Sequence, residues 1–307
     1  MKLLILGGSG FLSGHLVREA LAQGHEVWTV TRGGREVDPC VHALTADRSD
    51  EAALRAALEG AGQMWDAVLD CICFNPDHAA IDLAVLPAFT GRLIVVSTDS
   101  VYAPEGKRVP QDEQGVAYMD DGGYGCMKRR MEETFLAAPA GPMTWTILRP
   151  GHIFGSGSEL GCFPEHSRQR DLLAWMDADR PLRLVGGGQL LIHPIYAPDL
   201  ARVMLDCIDK PGCRNEIFCV GGPEAVPNAE YYRIIGELIG HPAVIEEIPD
   251  EGYLEAHPQY SGHLCQRAYT LEKLRSAGVT LPATPLREGL ADHIAWLRAR
   301  DADEQVK

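Results

Sequence analysis

Residues 3–14 read Leu3-Leu4-Ile5-Leu6-Gly7-Gly8-Ser9-Gly10-Phe11-Leu12-Ser13-Gly14: an apolar run, a glycine-rich turn, then the start of a helical pattern. Leu12, Leu16, Ala20 and Leu21 recur at helical spacing, so the glycines stand between a buried strand and a helix. At such a junction Gly7 and Gly10 let the backbone approach a pyrophosphate. The free N–H groups of the first turn, at Phe11 and Leu12, and the helix dipole favour its negative charge. Ser13 takes the third small position and still permits close helix–strand packing. The stretch predicts a dinucleotide site.

Strand-like runs at 2–6, 26–30, 42–45, 66–70 and 92–97 alternate with helical patterns near 11–23, 49–60, 76–87 and 123–138. That alternation is the mark of βαβ units on a parallel sheet. The expected fold is α/β: a doubly wound parallel sheet (Rossmann) with a smaller, interleaved C-terminal substrate lobe. Residues 1–155 form the dinucleotide-binding domain in this reading, and 156–307 mainly the substrate lobe, with 192–221 returning to the sheet. Helices are predicted at 228–239, 270–277 and 286–299, and 300–307 reads as a frayed polar tail.

The chain has 307 residues, enough for one large α/β unit with a second lobe. With 28 Lys+Arg against 43 Asp+Glu, a net of −15, it is a poor match for nucleic acid or an anionic membrane. Nine scattered cysteines and no leader-like start point to a reduced, cytoplasmic setting. No apolar stretch approaches a membrane span. Cys71-x-Cys73 ends an apolar strand without a second ligand cluster, so no metal is expected.

The chemistry is written at two further places. Tyr124-Gly125-Cys126-Met127-Lys128 opens a helix, and residues four apart share one face. The Lys128 ammonium and an oxidised nicotinamide would lower the Tyr124 phenol toward the working range, making it a proton carrier. Arg92 to Val96 then runs into Ser97-Thr98-Asp99-Ser100-Val101-Tyr102, which sets hydroxyls at the carboxyl end of a central strand. After the second strand stand Thr31-Arg32-Gly33-Gly34-Arg35, with no carboxylate for a ribose diol. Arg32 could take a 2′-phosphate, which favours NADP; stacking on adenine, with NAD as cofactor, is the alternative.

With this order and spacing the chain resembles the extended short-chain dehydrogenase/reductases, the NAD(P)-dependent sugar epimerase/dehydratase family, nearly end to end, and especially its atypical branch. The carriers include Gly7 to Gly14, Ser97 to Tyr102, Tyr124 to Lys128, Leu148 to Gly155 and Ile195 to Ala201. The resemblance implies that Thr98 holds the substrate hydroxyl, Tyr124 transfers the proton, and Lys128 binds the nicotinamide ribose. It also implies that Asp47 contacts adenine and that the backbone at Pro150 approaches the carboxamide. Ser97 joins the cofactor contacts. Asp99 matches the acid of the sugar dehydratases, but their glutamate is replaced by Ser100, which counts against elimination. Many relatives carry an arginine on the substrate diphosphate where this chain has Ile192. Arg168 and Arg170, in a helix expected after Phe163-Pro164, or Arg183 could replace its charge. His152, Arg168 and His193 are the candidate substrate-binding residues.

The expected activity is hydride transfer at a secondary alcohol or ketone of a sugar-like small molecule, foremost as epimerisation. A net NADPH-dependent ketone reductase is the alternative, and a cofactor-sensing or RNA-associated relative the non-enzymatic one. A homodimer is compatible with the family.

Overall fold

Apolar side chains fill consecutive positions of the central strands because helices cover both faces of a parallel sheet. The computed structural model describes residues 1–114 and 117–306. Its strands in chain order are β1 (Lys2–Leu6), β2 (Glu26–Thr31), β3 (His42–Thr45), β4 (Ala67–Asp70), β5 (Arg92–Val96), β6 (Thr144–Pro150), β7 (Ile153–Phe154), β8 (Leu182–Val185), β9 (Leu191–Ile192), β10 (Ile195–Tyr196), β11 (Glu216–Val220), β12 (Val226–Pro227) and β13 (Ile245–Ile248). The helices are α1 (Phe11–Ala22), α2 (Glu51–Ala61), α3 (Pro76–Val85), α4 (Tyr124–Ala137), α5 (Leu172–Asp177), α6 (Ala197–Asp206), α7 (Asn228–Ile239), α8 (Tyr253–Ala256), α9 (Glu272–Ser276) and α10 (Leu286–Val306).

Seven strands form one parallel sheet in the order β11-β6-β5-β4-β1-β2-β3. Alternation along β1 divides the core. Leu3 and Ile5 face α1 and α6 through Leu16, Val17, Leu200 and Met204, while Leu4 and Leu6 face Leu54 of α2, Ala79 of α3 and Met131 of α4. Side-chain caps fix the helix starts: Asp50 accepts from the Ala53 N–H at 3.0 Å, and Asn75 from the His78 N–H at 2.9 Å just before Pro76. A separate core, with Leu182, Leu184, Tyr231, Tyr232 and Leu290, holds the C-terminal lobe together.

Three expectations change. Within 192–221 only β11 rejoins the large sheet; β9 pairs with β12 and β10 with β7, as separate two-stranded units. The segment after Phe163-Pro164 turns instead of forming a helix, with Arg168 at φ 47° and α5 starting at Leu172. The polar tail continues α10 to Val306, since Arg300 pairs with Glu159 and Arg170 reaches Glu304 at 2.6 Å; Lys307 lies outside the described residues.

Candidate active site

The glycine-rich turn leads from β1 into α1 with Gly7 at φ 113° and Gly8 at φ 117°, a region closed to most side chains. A Cβ on Gly8 would stand 2.6 Å from Thr29 Cγ2. Ser13 accepts a hydrogen bond from the Gly10 N–H at 3.0 Å, so the third small position closes the turn through its hydroxyl. Gly7, Gly10, Ser13, Arg32 and Asp47 line one open groove along the carboxyl ends of β1 and β2. Asp47 accepts from the Ser49 N–H at 2.9 Å; that bond, then the Ser49 hydroxyl and the Arg32 charge, hold its carboxyl below the usual range. Deeper, Asp70, Cys73 and Asp82 converge as a metal site would, but the Arg48 guanidinium already bonds Asp70 at 2.7 Å and Asp82 at 2.6 Å. That cation supplies the countercharge.

At the end of β5, Thr98 caps the 3-10 turn Asp99–Val101 by accepting from the Ser100 N–H at 3.2 Å. The first turn of α4 is pressed onto this loop: a Cβ on Gly125 would lie 2.0 Å from the Ser100 carbonyl oxygen. Only glycine allows that approach, and it brings the Tyr124 phenol into hydrogen-bonding reach of Thr98. The sequence offered this signal between Tyr124 and Lys128, where it passed unused.

The electrostatics differ from the expected tyrosine–lysine coupling. Tyr124 is raised above the usual phenol value, by burial first and then by the Asp99 charge, against the Thr98 hydrogen bond and Arg168. Because the side chain is 56 % exposed, water tempers the burial contribution. Lys128 is buried, donating to the Cys73 and Val96 carbonyls at 2.6 and 2.7 Å. Burial pushes its ammonium down, against Cys73, Asp70 and Glu132. Two of its three donors are spent on backbone, leaving one for a ligand.

Three assignments need correction. The Ser97 side chain turns away from the groove: its hydroxyl donates to Glu132 at 2.6 Å, in a buried network with Arg149. Arg149 bonds both Glu132 oxygens, so its side chain is committed to that network. His193 is a packing histidine, accepting from the Tyr269 N–H at 3.2 Å and bonding the Gly222 carbonyl at 2.9 Å. Asp99 is no proton donor: it is buried, bidentate with Arg267 and bonded by the Tyr269 hydroxyl at 2.8 Å.

Burial alone would raise the Asp99 carboxyl, but Arg267, Lys107 and Tyr269 together hold it below its usual value. A carboxyl depressed in the folded state contributes stability that is complete above its unfolded value, about 3.9, and is lost as pH falls through the lower folded value. Asp99→Asn is therefore expected to flatten the acid limb of the stability profile below about pH 4. Denaturant titrations at stepped pH check this; an unchanged limb would rule it out.

His152 stays at the cleft. Its ring meets Tyr231 edge-on at 5.7 Å, and burial, then Arg168 and Arg267, push its imidazole down to about 3, so it is neutral. Arg168 is exposed and stands over the Phe11 ring at 5.6 Å, at the fingerprint end of the site. Arg183 pairs with Glu246 at 3.5 Å. Arg267 and Tyr269 were missed by sequence reasoning.

The arrangement defines a class: a nucleotide-binding α/β protein whose glycine turn leads to a hydroxyl, phenol and ammonium grouped at the sheet's carboxyl end. Residues 3–221 match the model of the NAD dependent epimerase/dehydratase family, and the chain belongs to that family. It is 24% identical over 261 residues to a 2′-dehydrokanamycin reductase of Streptomyces kanamyceticus, covering 82% of this chain and 70% of that protein. It is 26% identical over 302 residues to a 2-alkyl-3-oxoalkanoate reductase of Stenotrophomonas maltophilia, covering 90% and 85%. The fold is also that of a UDP-glucose 4-epimerase from Thermotoga maritima, with a TM-score of 0.79 at 18% identity over 98% and 99% of the two chains. No helix among the described residues is long and apolar enough to cross a membrane.

Proposed function

We propose that the protein is an NADPH-dependent reductase of a small ketone. The observation that carries this reading is the Thr98–Tyr124 pair at the end of β5, whose phenol is held protonated by burial and the Asp99 charge. A protonated phenol is the form needed to deliver a proton to a carbonyl oxygen as it becomes an alkoxide. The groove fits a dinucleotide: its glycines leave no Cβ at the turn, and Arg32 faces it with no carboxylate at the strand end. When bound, NADPH supplies the hydride. Gly7, Gly10 and the N–H groups of Phe11 and Leu12 hold its pyrophosphate, Asp47 its adenine and Lys128 its ribose. Thr98 orients the carbonyl oxygen and Tyr124 gives it the proton.

Epimerisation uses the same residues. Net reduction is preferred because Ile192, buried where many relatives hold a diphosphate, offers no polar pivot for a substrate to turn about, and because both curated relatives named above are reductases. The test is cofactor balance. One NADPH consumed per ketone supports reduction; product formed without net NADPH consumption returns the assignment to epimerisation.

Arg32→Ala is expected to weaken NADP(H) far more than NAD(H), since a charge-assisted bond to the extra phosphate is worth about 1.5–3 kcal/mol, or roughly ten- to hundredfold. Fluorescence titration with both cofactors decides; equal weakening would mean that Arg32 only stacks.

A further inference from the structure

Arg168 is presented by a loop that closes on itself. Its backbone sits at φ 47°, its N–H donates to the Gly161 carbonyl at 3.4 Å, and the next N–H, of Gln169, donates to the Leu160 carbonyl at 2.8 Å. A Cβ on Gly161 would lie 1.8 Å from the His166 carbonyl oxygen, so this approach is open only to glycine. The His166 ring fastens the loop, bonded to Gln169 Oε1 at 2.7 Å and accepting from the Arg183 N–H at 3.0 Å. From this support the Arg168 guanidinium reaches out of the second lobe to stand 5.6 Å over the ring of Phe11, at the start of α1. An aromatic face attracts a cation but supplies no countercharge.

No carboxylate among the described residues pairs with Arg168. The other cations considered for the substrate side are taken: Arg170 by Glu304 at 2.6 Å, Arg183 by Glu246 at 3.5 Å, and Arg267 by Asp99. The Arg168 charge acts on the phenol of Tyr124 on α4, on the His152 ring between β6 and β7, and on Tyr231 of α7. Those groups border the cleft between the lobes, and Arg168 is absent from the lining of the dinucleotide groove. In a chain of net charge −15, a free guanidinium beside the proton donor is an anion site in waiting. One planar fork matches one carboxylate; a diphosphate carries charge for which Arg170 and Arg183 are no longer free.

We propose that Arg168 sets the substrate class: the ketone carries a single carboxylate, which Arg168 grips while the carbonyl lies at Thr98 and Tyr124. Arg168 is thereby a specificity-determining residue. The proposal deepens the reductase reading and rests on it for the fate of the ketone.

The test compares 4-oxopentanoate and 7-oxooctanoate with their methyl esters, using the full chain. At least one acid is expected to exceed its ester in kcat/KM by about fivefold or more, chiefly through KM, as suits an ion pair still partly open to water. Arg168→Met should bring that ratio close to one, and Arg168→Lys, which keeps the charge and loses the fork, should restore part of it. Arg168 is exposed, so neither change threatens the core. A wild-type ratio near one, or an acid preference that survives in Arg168→Met, overturns the proposal. So does an Arg168→Met variant that weakens NADPH about fivefold or more in fluorescence titration with the acid-to-ester ratio unchanged, since the guanidinium then serves the cofactor. Calorimetry on protein saturated with NADP⁺ separates the two readings. Acid-selective binding that is lost in Arg168→Met, with no NADPH oxidation by any of the ketones, sinks the reductase reading and leaves the role of Arg168 standing. NADPH oxidation by acids and esters alike does the reverse, and no binding of either acid overturns the proposal.

Discussion

Tyr124→Phe is expected to lower turnover by at least about 100-fold while leaving the fold and cofactor affinity unchanged. Only the phenolic oxygen is removed. Tyr124 is 56 % exposed, so its loss opens no cavity, and the helix start is held by Gly125 against the Ser100 carbonyl, a contact that the substitution does not touch. The loss falls on the reducing direction because Asp99, ionised and committed to Arg267, and the neutral His152 cannot replace the phenol as proton donor. The pH profile carries the same signature. A proton donor with a raised value keeps its activity through neutral pH and loses it as the pH rises past that value, so reduction should fall on the alkaline side. Stopped-flow measurement of NADPH oxidation against pH checks both statements, and near-wild-type rates in Tyr124→Phe would remove Tyr124 from the chemistry.

The large features of this site were legible in the sequence because they are local. The strand–glycine–helix junction spans residues 3–14, and Tyr124 and Lys128 share one turn of helix, so spacing alone sets their relative position. What sequence reading lacked was direction. Ser97 and Thr98 are neighbours at the end of β5, and successive side chains point to opposite sides; one reaches Thr98's cleft and the other Glu132 beneath it. His193 and Asp99 failed for a different reason. Their partners, Tyr269 and Arg267, lie 76 and 168 residues away, across a connection through the second lobe that no periodicity describes. Ile195 and Tyr196 look like a sheet strand by composition, but the edge beside β6 is taken by β11.

The second large effect concerns the network under the site. Arg149→Leu is expected to destabilise the fold by about 3–5 kcal/mol, a large part of the roughly 5–15 kcal/mol that separates folded from unfolded domains. Arg149 is 1 % exposed and donates to both Glu132 oxygens, at 2.9 and 2.6 Å, to the Tyr102 hydroxyl at 2.7 Å and to the Glu113 carbonyl at 3.0 Å. Removing it strands the buried Glu132 carboxylate with Ser97 at 2.6 Å and Arg129 at 3.2 Å as its remaining side-chain partners. Glu132 sits one turn after Lys128 on α4, so the same loss loosens the segment that carries Lys128 and Tyr124. Activity should fall in Arg149→Leu through kcat, although Arg149 touches neither ligand. Replacing both partners separates the two causes. Arg149→Leu with Glu132→Leu leaves no unpaired charge, so the double variant should be more stable than the sum of the single losses predicts, by about 0.5–3 kcal/mol or more. Denaturant unfolding of the four proteins measures that coupling. Strict additivity would mean that the pair carries no interaction energy and that α4 is held in place by its apolar contacts alone.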